Sequence, residues 1–169
     1  MRDKEPIVAV FGNSVDSMFA LEQLERVGLT PALVIDTKDT FPPELYNSEW
    51  DFFLVASYGK ILKQEILDLP RRGCLNIHPS LLPKFRGPSP YVSAILADER
   101  ETGVTLMQMV QKMDAGPILA QARIAVDEAA GPPKGLLLYH MLFTEGGNPL
   151  AAALAHWASG ALVPGEQGE

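Results

Sequence analysis

Ile7, Val8, Ala9, Val10 and Phe11 form a strand-length run that is apolar at every position. Successive side chains of a strand point to opposite faces, so such a run must be covered on both, as the central strand of a parallel sheet is. Gly12, Asn13 and Ser14 supply a turn, and Asn13 or Ser14 is placed to cap a helix. Met18, Leu21, Leu24 and Val27 then recur at about helical spacing, and Gly28 ends the helix. Leu33, Val34 and Ile35 make a second short strand, closed by Asp36. Buried strand, helix, strand opens an α/β fold with an open, doubly wound, mostly parallel sheet. The turn has one glycine where a dinucleotide fingerprint needs three. The expectation is a Rossmann-like sheet without a dinucleotide, with Asp36 starting a turn.

Further on, residues 37–51 are polar and broken by Pro42 and Pro43, with room for a short helix at 44–47. Residues 52–56 read as the next core strand, 60–67 as a short helix and 74–78 as a fourth strand. Ser89 can cap a helix with Pro90 at its first position, burying Val92, Ile95 and Leu96. Residues 103–110 alternate as a half-buried strand does, 112–117 turn, and 118–126 return, which predicts an antiparallel pair. A loop at 127–135, a helix at 136–143, a break at 146–149 and a helix with Leu150, Leu154 and Trp157 on one stripe complete the domain. One domain is expected over 1–165, with 166–169 a frayed tail.

The net charge of −7 argues against electrostatic capture of nucleic acid by the domain as a whole, though a local basic patch stays open. The single cysteine, Cys74, excludes an internal disulfide and a cysteine-based zinc site; inside an apolar strand it reads as a core residue. No apolar run reaches the roughly 18 residues of a membrane span. The N-terminus opens on charges rather than as a signal peptide, so a cytoplasmic location is expected.

Asn76 and His78 are two residues apart on one strand and so share a face, and Pro79 opens a proline-rich loop. Asp114 falls in the turn after the fifth strand. In a doubly wound sheet, loops leaving the C-terminal strand ends gather where ligands bind. An amide donor, an imidazole and a carboxylate meeting there would suit acyl transfer. From the residues alone a structural reading stays open beside it, since strand histidines and turn aspartates commonly have no catalytic part. There is no nucleophile elbow, phosphate loop or HExxH metal site, and His140 and His156 sit in helical context. No metal is expected, and the nucleophile should arrive with the substrate.

Residues 76–87, running from Asn76 through Ser80, Leu81, Leu82 and Pro83 to Gly87, resemble the signature of formyltransferases that use 10-formyltetrahydrofolate. Residues 101–109 and 113–119 are similar to its second half, and the version most alike is that of the methionyl-tRNA formyltransferases. The resemblance implies Asn76, His78 and Asp114 as the catalytic set. Ser80, Leu81, Leu82 and Pro83 would line the folate site, and Tyr58, Gly59, Lys60, Ile61 and Leu62 would hold its pterin end. Phe85, Arg86 and Gly87 would meet the acceptor. For Lys84 and Arg86 three uses stand open: the acceptor end of a tRNA, an anionic group on a smaller substrate, or a solvated loop.

Two departures from that branch bear on the acceptor. Its members carry a basic insertion after the second strand, whereas residues 37–51 here are net acidic. Their C-terminal tRNA-binding barrel is expected to be absent, because the chain stops where the catalytic domain would end. Phosphate contacts dominate nucleic-acid affinity, so tRNA would bind weakly. The open readings are a compact formyltransferase acting on methionyl-tRNA or on a small amine such as an amino sugar nucleotide, and a folate-binding relic. The trimmed edge after the second strand also leaves a dimer open.

Overall fold

The computed structural model describes residues 5–12, 16–36, 40–126 and 147–168. The elements in chain order are β1 (Val8–Gly12), α1 (Asp16–Arg26), β2 (Leu33–Ile35), α2 (Glu44–Asn47), β3 (Phe52–Ala56), α3 (Gln64–Leu67), β4 (Cys74–His78), α4 (Pro90–Leu96), β5 (Glu101–Gln108), β6 (Ile118–Ala125) and α5 (Gly147–Ser159). Six strands form one sheet in the order β2-β1-β3-β4-β5-β6. The first four are parallel, and β5 and β6 run antiparallel to their neighbours. This is the open α/β sheet expected, with the antiparallel pair where the alternation placed it.

The apolar runs are explained by two cores, one on each face. Val8, Val10, Phe52, Leu54, Leu75 and Ile77 face one cluster, closed by Ala20 and Leu24 of α1 and Leu150, Leu154 and Trp157 of α5. Ala9, Phe11, Phe53, Val55 and Cys74 face the other, closed by Leu45, Trp50, Tyr58, Leu62 and Ile66. Neighbours along β1 and β3 thus go to opposite clusters, and both sets must be apolar. The stripe of Leu150, Leu154 and Trp157 is buried as expected.

Several local expectations are corrected. Met18 is 66% exposed while Leu24 is 0%. A three-residue step falls short of a full helical turn by about 60°, so positions 18 to 27 drift round half the helix; the inward row is instead Ser17, Ala20 and Leu24 with Phe19 and Gln23. On α4 the buried residues are Pro90 and Ala94 with Tyr91 and Ile95 packed beside them, and Leu96 is 83% exposed. Ser89 sits at the cap position, but its side chain makes no capping bond. Residues 60–63 are not helical, Lys63 being extended, and the helix there is confined to Gln64–Leu67. The last helix starts at Gly147, inside the stretch expected to be a break before it, since proline in a first turn lacks only an N–H that would be unpaired anyway. Strand β5 is not half-buried: Thr102 through Met107 are all buried. The loop expected at 127–135, the helix at 136–143 and His140 lie outside the described residues, while His156 is exposed. None of the described helices is long and apolar enough to cross a membrane.

Candidate functional site

The parallel strands end level with one another: Gly12 pairs with Ala56, and Ala56 with Ile77. From β1 the chain steps outward to β2 and then back across to β3. That reversal makes the C-terminal ends of β1, β3 and β4 the place where this architecture binds ligands. On β4 the second core cluster reaches Cys74 and stops. The next two residues on that face are Asn76, half-buried, and His78, buried. The site begins where the apolar face ends.

His78 and Asp114, far apart in sequence, are brought together. The Nε2 atom of His78 lies 3.0 Å from the carbonyl oxygen of Phe85. A carbonyl only accepts, so Nε2 carries the hydrogen and Nδ1 is the nitrogen turned to Asp114. Nδ1 is 3.7 Å from Asp114 Oδ1, beyond a direct hydrogen bond but within range of a charge pair once the ring is protonated. The other carboxylate oxygen, Oδ2, accepts the Gly87 N–H at 2.9 Å. Asp114 itself has φ +49°, in the left-handed region. Its loop is closed by Gln108 N–H donating to the Pro117 carbonyl at 2.8 Å. A Cβ on Gly116 would run into the Gln108 carbonyl, so that crossing admits only glycine.

The 79–87 loop is held by residues that sequence reasoning did not single out. Thr105 stands opposite His78 on β5 and is fully buried. Its hydroxyl donates to Ser80 O at 2.6 Å and accepts from Leu82 N–H at 3.2 Å and from Gln121 Nε2 at 3.0 Å. Gln121 also donates to Leu82 O at 2.9 Å. Gly103 is bare because a Cβ there would meet the Ala122 carbonyl and sit 2.6 Å from Leu81 Cδ2. Ser80 is fully buried and its hydroxyl donates to Lys84 O at 2.8 Å, so it shapes the loop from within. Leu82 is buried, Leu81 half-buried and Pro83 exposed, and the Leu82–Pro83 bond is cis.

The stretch from Tyr58 to Leu62 divides by depth. Tyr58 packs edge-on against Phe11 with centroids 5.5 Å apart, and Leu62 joins the same core cluster. Gly59, Lys60 and Ile61 form an exposed crest, Ile61 being 77% accessible. The Lys60 ammonium lies 5.7 Å from the Phe41 ring centroid. Of the loop cations, Lys84 pairs with Glu99 at 2.8 Å and Arg86 donates to Gln167 Oε1 at 2.7 Å. Phe85 is half-buried at φ +59°; Gly87 is half-buried at φ +113°, a conformation that side chains avoid. Gln167, expected in a frayed tail, is instead tied to Asp114 O and Gly116 O. A cavity of about 270 Å³ is lined by Leu81, Phe85, Gln121 and Arg123 among others.

Cys74, two residues before Asn76, is no nucleophile: burial, with Asp68 adding to it, pushes its thiol up to about 12. Among the described residues no group of three or more His, Cys, Asp or Glu is arranged to hold a metal.

A formyl transferase family matches the chain over residues 9–132. A methionyl-tRNA formyltransferase of Roseiflexus castenholzii is 44% identical over 137 residues, 81% of this chain and 40% of that protein. One of Thermotoga maritima is 57% identical over 115 residues, 60% of this chain and 37% of that protein. The chain therefore spans well under two thirds of the length of these curated relatives. A solved N-formyltransferase of Helicobacter canadensis, in complex with folinic acid and dTDP-3-aminofucose, shares the fold with a TM-score of 0.78 at 19% identity, over 98% of this chain and 68% of that one. Residues 9–132 are well over half of the chain, and they contain the strand end that carries Asn76 and His78 and the loop that carries Asp114: the chain belongs to the formyl transferase family.

Proposed function

We propose that the chain transfers a formyl group from 10-formyltetrahydrofolate to a primary amine, and that this amine is the α-amino group of methionyl-tRNA. The observation that carries the transfer is the approach of His78 Nδ1 to Asp114 Oδ1, 3.7 Å, beside Asn76 on one strand face. The choice of acceptor is supported by the identity of 44% and 57% to proteins named methionyl-tRNA formyltransferase. The crest of Gly59, Lys60 and Ile61 offers main-chain polar groups and an exposed apolar side chain above buried Tyr58 and Leu62, which suits a flat, amide-bearing pterin. Leu81, Leu82 and Pro83 would form the facing wall.

The folate would supply the formyl carbon, to which a neutral amine adds as tetrahydrofolate departs. Asn76 would donate its side-chain N–H to the oxygen on which charge builds. Asp114 would take the proton the amine sheds, directly or through a water, with His78 Nδ1 beside it to share that proton, which passes to the folate nitrogen as its bond to the formyl carbon breaks. Phe85 O keeps the imidazole in one tautomer and orientation throughout. An α-amino group has an unperturbed pKa of about 7.7–8.0, so it is partly neutral near pH 7 and modest base help suffices.

The test is a turnover assay with 10-formyltetrahydrofolate against charged initiator tRNA and a panel of amino sugar nucleotides. Formylation of the tRNA is expected, with Asn76→Ala slower by about 10²–10³ and marked losses for His78→Ala and Asp114→Asn. Near wild-type rates in all three variants would overturn the mechanism. A small amine is the second reading, and a specific observation favours it. The chain is net −7, and Lys84 and Arg86 are already engaged by Glu99 and Gln167. Turnover on a sugar nucleotide and none on tRNA would establish that reading; folate binding with no turnover on any acceptor would mark a relic.

A further inference from the structure

We propose that Gln167 is a positioning residue for Asp114, and that the segment around it clasps together the two loops that make the site. The part assigned to Asp114 rests on the formyl-transfer reading; the clasp itself rests on geometry. Gln167 Nε2 donates to Asp114 O at 3.0 Å and to Gly116 O at 2.6 Å. Its Oε1 accepts from Arg86 Nε at 3.2 Å and Nη2 at 2.7 Å. An amide has two N–H donors and an oxygen with two lone pairs, and here all four are used. The segment is delivered by Gly165, which exchanges both main-chain hydrogen bonds with Ile118, at 2.7 and 2.8 Å. Ile118 pairs with Met107 across the sheet, so this bridge lies on the outer edge of β6, directly after the Asp114 loop.

These contacts close a ring. Asp114 Oδ2 holds Gly87 N–H, Gly87 follows Arg86, Arg86 grips Gln167, and Gln167 holds Asp114 O. The carboxylate end of Asp114 is thus fixed from the 79–87 loop and its main-chain end from the segment at 165–168. Asp114 needs both, because a residue with a Cβ stays at φ +49° only where its surroundings hold it there. Without Gln167 the main chain at 114–116 loses two donors at once, and the direction of the carboxylate toward His78 depends on Gly87 alone. Arg86 is then committed to building the site, through the planar fork that lets two nitrogens reach one oxygen.

The test compares Gln167→Ala, Gln167→Glu, Asp114→Asn and the double variant Asp114→Asn/Gln167→Ala in the whole chain. Formyl transfer and amide hydrogen exchange over residues 109–117 are both read. Displacing a catalytic group by a fraction of an ångström costs about 10-fold, so Gln167→Ala should lower kcat by that factor with the donor KM within about twofold. Exchange over 109–117 should rise. The double variant should be no slower than Asp114→Asn, because Gln167 acts through Asp114. Gln167→Glu keeps the length and the grip of Arg86 but turns an oxygen toward two carbonyls, and should give no rescue. An unchanged kcat, or a full second loss in the double variant, would overturn the positioning role. If the unaltered chain shows no formyl transfer, that reading fails separately, and unchanged exchange in both Gln167 variants would still overturn the clasp.

Discussion

Replacing Thr105 by valine removes one hydroxyl and leaves the shape of the side chain. Thr105 is fully buried, and its oxygen serves Ser80 O, Leu82 N–H and Gln121 Nε2. Gln121 keeps Leu82 O at 2.9 Å after the change. Leu82 N–H loses this acceptor and Ser80 O loses this donor, both beneath a loop that excludes water. A buried polar group left without its partner costs about 1–3 kcal/mol, so the two together cost about 2–6 kcal/mol. For a chain of 169 residues, about 2–4 °C of melting temperature goes with each kcal/mol, which places the expected fall at about 4–24 °C. Thr105→Ser is the control: it keeps the hydroxyl, loses one methyl and should cost only about 1 kcal/mol. Both variants are melted side by side by circular dichroism. A valine variant within about 0.5 kcal/mol of the parent, or a serine variant more damaged than valine, would refute this role for the hydroxyl. Because the same loop carries the Phe85 carbonyl that holds His78, formyl transfer measured well below the melting point should fall in Thr105→Val as well.

Gly103→Ala should lower stability by about 1–3 kcal/mol in a denaturant titration, since its Cβ would meet the Ala122 carbonyl, which cannot yield, as well as Leu81; a neutral result would mean that the sheet opens there at no cost. Cys74 should resist iodoacetamide at pH 8 in the folded chain and react in urea, because burial holds its thiol up at about 12. Because the folded-state value is raised, this contribution to stability is full below the thiol's ordinary value of 9.0 and drains away as pH climbs toward 12, and labelling of the native protein at pH 8 would contradict it. Glu99→Gln should free Lys84 from its carboxylate and steepen the salt dependence of tRNA binding by about 0.7–0.9 in log–log slope, one phosphate's worth. An unchanged slope would take Lys84 out of any RNA interface.

The parts of the fold that were legible are those whose cause is local. A strand buried on both faces must be apolar throughout, so β1 and β3 announce themselves, and α2 could be placed between Pro43 and the strand after it. Asn76 and His78 were legible as a pair because a strand's alternation fixes them to one face. The phase of α1 was not, because its inward row uses Ser17 and Gln23, polar types that read as outward-facing, beside the small Ala20. The supports of the site were hidden for a stronger reason. Thr105 reaches Ser80 across 25 positions and Arg86 reaches Gln167 across 81, and periodicity speaks only of neighbours a few residues apart.

Strand β5 shows what such patterns leave ambiguous. Small and polar residues at alternate positions read as a solvent face, yet Thr102 through Met107 are all buried. Gly103 and Thr105 are there because a loop lies on that face: the glycine makes room for Leu81, and the hydroxyl answers main-chain groups that water cannot reach. A buried loop carries obligatory polar groups, and the strand beneath it must supply partners for them. Alternation on a strand next to a proline-rich loop therefore has two physical causes, solvent and loop, and they differ in one consequence. On a solvent face a threonine exchanges for valine or serine at little cost and in either order. Under a loop the hydroxyl is indispensable and the methyl is not, which is why the ranking of Thr105→Val against Thr105→Ser separates the two where hydropathy alone cannot.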